Sequence, residues 1–311
     1  MTTSSTTGRR FGIMIYPDKP IDRIVEEAQW VESLGFDHVF LPDHTADLRN
    51  PQGFWLETMT TLAIIARETR HIRVGTLVSN PIMRSPFVLA KQFLTIDHAS
   101  GGRLDIGIGA GLFDWDHAAM GTDMWESRER TERLEEIVAM VDAILRGTGD
   151  PVDFDGRWYR AHGVRTVPAA VQQPRPPIII GGQSPAVLRI AARYADEWNT
   201  IGPMGKSAEE ILATTARQNQ ALDQLAIEAG RDPASIRRSY STFGPWVPWD
   251  QPDPVAAFEQ TVRAFSDIGM QDFHTGIPDN DPEALTEVAH DLIPRLRERP
   301  VVPTIETATT P

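Results

Sequence analysis

The sequence predicts a (β/α)8 TIM barrel with an insertion after the fourth helix, and three observations carry that prediction. Short apolar segments alternate with segments of helical period along the whole 311-residue chain, the pattern of a parallel sheet covered by helices. About eight such units can be read, and a barrel of about 250 residues plus one insertion accounts for the length better than a doubly wound open sheet. The residues directly after several strands are glycines, small polar residues or an Asp-His pair, and a barrel places its site at those strand ends.

The elements follow in order. Phe11 to Ile15 is a short apolar strand, and Ile21, Ile24, Val25, Ala28, Val31 and Leu34 recur at helical spacing behind it, with Gly35 as the stop. Strands at Asp37 to Leu41, Ile72 to Val78 and Leu104 to Ile108 alternate with helices at Trp55 to Thr69 and Pro86 to Ala99. A loop rich in aspartate and tryptophan leads to a long helix, Arg128 to Leu145, with Leu134, Ile137, Val138, Val141 and Leu145 on one side. From about 147 to 177 prolines, glycines and polar residues break the pattern, which reads as the insertion, with a hairpin around Phe154, Gly156 and Trp158. Strands at Ile178 to Ile180, Glu197 to Ile201, Arg237 to Phe243 and Asp272 to Gly276 then alternate with helices at Pro185 to Ala195, Ser207 to Gly230, Pro254 to Ile268 and Pro282 to Leu296. We expect one domain over 9–299 between disordered tails at 1–8 and 300–311.

Composition excludes several classes of function. The absence of cysteine removes disulfides, thiolate metal sites and a cysteine nucleophile together. A net charge of −13 argues against nucleic acid or anionic lipid as a partner, yet leaves room for an anionic cofactor held by backbone amides. Neither a signal peptide nor an apolar run of the roughly 20 residues that span a bilayer is present, so a cytoplasmic protein with no membrane partner is expected. The histidines are scattered without ligand spacing, so no metal is expected.

The candidate site residues lie after the strands. Asp43 and His44 follow the second, and an imidazole there suits proton transfer near neutral pH; such a pair also serves simply to close a loop. Thr76, Leu77, Val78, Ser79 and Asn80 follow the third. The fourth runs into Gly107, Gly109, Ala110 and Gly111, where missing Cβ atoms let backbone approach a flat ring or phosphate, or relieve crowding at the strand end. After the fifth, Gly181 and Gly182 precede Ser184, a natural N-cap, and Pro185 at the first helical position, which makes either a phosphate cradle or a well-capped turn. Tyr16, Leu48, Leu112, Phe113 and Trp246 give the mouth an apolar cast and point to a hydrophobic or aromatic organic substrate. The loop holding Trp246 reads as a lid or a dimer contact.

Five segments, LGFDHVFLPDH ending at His44, TRHIRVGTLVSNP ending at Pro81, GGRLDIGIGAG ending at Gly111, ERTERLEE ending at Glu136 and PPIIIGGQSPAVLRIAARYADEWN ending at Asn199, resemble the bacterial-luciferase-like family of flavin and deazaflavin oxidoreductases. The resemblance implies a barrel with an insertion, a cofactor at the strand ends and commonly a homodimer. The Asp-His pair and the G-T-x-V bulge resemble the branch that uses coenzyme F420. On that likeness the Leu77–Val78 peptide is cis, Thr76, Val78, Gly109, Ala110 and Gly111 surround the ring, and Gly181, Gly182 and Ser184 hold the phosphate. Leu48 and Leu112 stand where sugar-phosphate and alcohol dehydrogenases of that branch carry tryptophan and glutamate, which removes those activities. The expected function is hydride transfer between F420 and an organic substrate, with His44 donating a proton or orienting. An FMN-dependent monooxygenase is the alternative within the family, and a barrel hydrolase or non-catalytic ligand-binding barrel the alternative outside it.

Overall fold

The computed structural model describes residues 8–47, 50–279 and 281–298. Apart from residue 8, both expected disordered tails lie outside the described residues. Among the described residues, no helix is long and apolar enough to cross a membrane.

Eight parallel strands close into a barrel in the order β1 (Arg10–Met14), β2 (His38–Leu41), β3 (Arg73–Thr76), β4 (Leu104–Ile108), β7 (Ile178–Gly181), β8 (Glu197–Thr200), β9 (Arg237–Ser241) and β10 (Asp272–Gly276), which pairs back to β1. The helices between them are α1 (Ile21–Ser33), α2 (Thr58–Glu68), α3 (Pro86–Ser100), α5 (Ser127–Leu145), α6 (Pro185–Tyr194), α7 (Ala208–Glu228) and α8 (Pro254–Asp267). The predicted barrel is therefore the observed one. The insertion after α5 carries the antiparallel pair β5 (Val152–Asp155) and β6 (Arg160–Val164). It is tied down by Arg133 of α5, whose guanidinium lies 4.1 Å from the Trp125 ring and 4.2 Å from the Trp158 ring, an arrangement favoured by the quadrupole of each ring.

Two elements differ from the reading of the sequence. The Asp/Trp-rich loop contains a six-residue helix, α4 (Asp114–Ala119), too short to show a period. The closing helix is interrupted: α9 (Pro282–Glu287) passes through a π turn (Val288–Leu292) into α10 (Ile293–Arg297). Pro294, lacking an N–H, sits at the start of α10, where a wider turn accommodates it without an orphaned α-helical bond.

Strand alternation divides the core. On β2, Val39 and Leu41 face the helices and join the large apolar cluster there, whereas Phe40 belongs to a small cluster with Leu77 and Ile179. The amino-terminal end of the barrel is ionic. Arg10 Nη2 reaches Asp272 and Glu197, each at 2.5 Å, and Arg237 Nε donates to Asp272 at 2.7 Å. Arg73 Nη2 donates to Asp105 at 2.6 Å, and His38 Nδ1 lies 3.0 Å from the same carboxylate. Burial alone would raise the pKa of Asp105 and Asp272, but the facing arginines hold both carboxyls far below the ordinary range.

Candidate active site

At the opposite end, β3 stops at Thr76, bulges through Leu77 and Val78 across a cis peptide bond, and pairs again with β4 at Ser79. Bulges that re-aim side chains are common at barrel rims. What fills the space left by the glycines is the protein itself. A Cβ on Gly107 would lie 1.9 Å from the Thr76 carbonyl oxygen; one on Gly109 would lie 2.5 Å from Val78 Cγ2, and one on Gly181 2.8 Å from Val78 Cγ1. These three glycines therefore admit the bulge, and the half-buried Val78 is its inner tip. Gly111 has a different reason: its φ is +71°, and a Cβ there would meet Asn80 Oδ1 at 2.7 Å. Thr76 is buried, and its hydroxyl donates to the Gly107 carbonyl at 2.8 Å while accepting from Ser79 Oγ at 2.8 Å. Its polar atom thus locks β3 to β4.

His44 follows β2 with 23% of its side chain exposed, so its ring can be reached from the mouth. Its Nδ1 lies 2.8 Å from Oδ2 of Asp116, a fully buried residue of α4. Asp116 also accepts from Thr45 N and Thr45 Oγ1, each at 2.8 Å, and from Asn80 Nδ2 at 2.9 Å. Burial opposes its ionisation, but the bonds from His44 and Thr45 win and hold its pKa below the usual carboxylate value. Trp55 Nε1 donates to the His44 carbonyl at 2.8 Å and steadies the backbone. Asp43 lies elsewhere in the network. Its carboxylate takes a two-pronged contact from Arg84 at 2.5 and 3.1 Å and the Asn80 backbone N–H at 3.0 Å, so it braces the loop after β3.

The third part of the mouth is the entry to α6. Ser184 caps it, accepting from Val187 N at 3.2 Å. Gly182 N donates to Asn199 O at 3.1 Å, and Trp198 Nε1 donates to the Gly182 carbonyl at 2.8 Å, which fixes the two glycines against β8.

The aromatic residues divide. Phe113 stacks on Trp115 at 4.2 Å and meets the His44 ring edge-on at 5.2 Å. Leu112 beside them is 48% exposed, and Ala110 is half-buried. Tyr16 is half-buried, its ring 3.9 Å from where a Cβ on Gly276 would stand. Trp246 packs its indole on Phe265 of α8 at 5.0 Å and donates to the Ala208 carbonyl, at the start of α7, at 3.3 Å, which anchors its loop to the helix layer. An indole with an apolar neighbour and an acceptor for its N–H is well placed there. Leu48 lies outside the described residues. The sequence reading missed Asp116 and Arg84, whose signal was no more than charged residues in the segments after strands.

A model of the family described as luciferase-like monooxygenase matches residues 1–298. An F420-dependent hydroxymycolic acid dehydrogenase from Mycobacterium tuberculosis is 28% identical over 243 residues, 78% of this chain; the match spans 64% of that relative's length. An F420-dependent glucose-6-phosphate dehydrogenase from Nakamurella multipartita is 33% identical over 319 residues, covering 86% of this chain and 90% of the relative. Among solved structures, the coenzyme F420-dependent tetrahydromethanopterin reductase from Methanopyrus kandleri has the same fold, with a TM-score of 0.75 at 19% identity over 93% of this chain and 99% of that one.

Proposed function

The chain belongs to the luciferase-like monooxygenase family, and from that premise we propose that it is a coenzyme F420-dependent oxidoreductase acting on an apolar organic substrate. One observation carries the reading: a reachable histidine, backed by a buried carboxylate, stands at the same barrel mouth as a bulged strand end set among glycines and a glycine-led helix start. The names of the two curated relatives support the cofactor assignment.

The residues suit a flat, phosphate-bearing cofactor. Leu77 and Val78 would support the ring from behind, with Thr76 anchoring them and Gly109, Ala110 and Gly111 at its side. Gly181, Gly182 and Ser184 would take the phosphate, since a helix start offers amides and a favourable dipole to an anion. When bound, F420 supplies hydride exchange at the central carbon of its deazaflavin. The protein's part is position and a proton. His44 holds or gives that proton at the ring atom not engaged by Asp116, and Asp43 serves through Arg84 as a brace. Leu112, Phe113 and Tyr16 form an apolar wall that favours a hydrophobic or aromatic substrate over a sugar phosphate. From the family likeness we also take the working unit to be a homodimer in the cytoplasm.

Fluorescence titration of the purified protein with F420 and with FMN tests this reading. Saturable F420 binding is expected. FMN binding with F420 ignored would transfer the protein to the flavin monooxygenases, and binding of neither would favour a hydrolase or a non-catalytic barrel.

A further inference from the structure

The four hydrogen bonds on Asp116 fix more than a loop. Asp116 Oδ1 receives the Thr45 backbone N–H, which cannot act as an acceptor, and Oδ2 receives Asn80 Nδ2. The Asn80 amide is oriented independently, because its Oδ1 accepts from Ile82 N at 3.3 Å. An ionised carboxylate only accepts hydrogen bonds. Asp116 is buried and held below the usual carboxylate pKa, so it is ionised at neutral pH and the group it meets on His44 must donate.

We propose that Asp116 is the positioning residue of this site: it holds the neutral His44 ring in the tautomer with the proton on Nδ1, leaving Nε2 as the atom that takes or returns a proton. The inference deepens the oxidoreductase reading and rests on it for the meaning of that proton, though the tautomer itself is a property of the resting protein. It assigns the proton-carrying atom of the chemistry. In its neutral form His44 is a base at Nε2 and would receive the proton of a hydroxyl being oxidised, the hydride from the carbinol carbon going to the bound deazaflavin; the imidazolium formed would share its Nδ1 proton with Asp116 and could return the other to a carbonyl whose carbon takes a hydride from the reduced deazaflavin. Protons balance within the His44–substrate pair in both directions. The α4 helix becomes part of the machinery, because it brings Asp116 to His44 across 72 positions of sequence.

The same geometry predicts what Asp116→Asn does. The fixed Thr45 N–H claims the amide oxygen, so the amide NH2 falls at the Oδ2 position, facing His44 Nδ1 and the Asn80 amide nitrogen. A donor there is relieved when His44 moves its proton to Nε2. The test is two-bond 1H–15N NMR of the full chain labelled at histidine nitrogens, above the pH at which the histidines are charged, with His44 assigned by the signals lost in His44→Gln. In the unsubstituted protein the pattern is expected to be that of an Nδ1-protonated ring, and in Asp116→Asn the two nitrogen shifts are expected to exchange roles. A residue that only stabilised the loop would leave the tautomer unmoved. An Nε2-protonated His44 in the unsubstituted protein overturns the proposal, as does an unchanged tautomer in a folded Asp116→Asn. Should that variant fail to fold, the spectrum of the unsubstituted protein decides alone. No cofactor enters this measurement, so its failure is distinct from failure of F420 to bind.

Discussion

At the amino-terminal end of the barrel, Arg10, Arg73 and Arg237 meet Asp105, Glu197 and Asp272 across six strands, and the carboxylates are almost wholly buried. At the carboxyl end the strands run out into Gly107, Gly109 and Gly181, a bulge, and a histidine left partly exposed. Both ends contain a histidine bonded to a buried aspartate. His38 with Asp105 is shut in beside Arg73, and burial, outweighing its bond to Asp105, keeps its pKa below the ordinary value. His44 with Asp116 opens on the mouth. The same pair of side chains is thus a structural tie in one place and a candidate proton relay in the other, and what separates them is access and the neighbouring cation.

The largest effect should come from the open pair. His44→Ala is expected to lower turnover of a substrate found by screening by about 10²- to 10⁴-fold, the range for loss of a general acid–base group, with F420 affinity little changed. Steady-state kinetics beside a binding titration checks this, and unchanged turnover removes His44 from the chemistry. The closed pair should fail differently. Asp105→Asn strips the charge that Arg73 and His38 face, and urea unfolding should show a loss of roughly 3 kcal/mol, the lower end for a broken buried pair, since Arg73 keeps 28% of its side chain exposed. Cofactor binding by the folded fraction should persist; if it vanishes, the two ends are not separable.

Gly109→Ala sharpens the comparison from the mouth side. Its Cβ would stand 2.5 Å from Val78 Cγ2, an overpacking cost of about 1 to 3 kcal/mol, and F420 affinity should fall with it. Adding Val78→Ala should restore much of the stability, while full stability in Gly109→Ala alone would show that the bulge is not crowded. The mildest effect is acid sensitivity. Asp105 and Asp272 have folded-state pKa values pushed far below the unfolded value near 3.9, so the unfolded chain binds more protons there as pH falls. Their contribution is complete above that value and should drain away below about pH 4. Urea midpoints at pH 7, 4 and 3 measure it, and Asp105→Asn should flatten the slope.

The barrel was legible in the sequence because each strand-helix unit declares itself locally, by an apolar run followed by a 3.6-residue period. The glycine positions and the Ser184–Pro185 helix start were legible for the same reason. Asp116 was not. It stands in a six-residue helix without a side-chain cap, and its tie to His44 exists only after β2 and β4 have been set in one sheet with β3 between them. The seat of Trp246 was not legible either, because Phe265, which its ring meets, lies on the next helix and nothing local ties the two together. The glycines were read correctly as clearance, but the sequence does not say for whom, and the occupant proves to be Val78.

That occupancy ties the fate of distant codons together. Val78 is hemmed in by Gly109 just past the end of β4 and by Gly181 at the end of β7, one strand further round, so neither glycine can grow alone: a larger residue at either demands a smaller one at 78. A mutational library that varies them one at a time will record mostly failures, whereas one that varies them as a single locus can remodel the bulge.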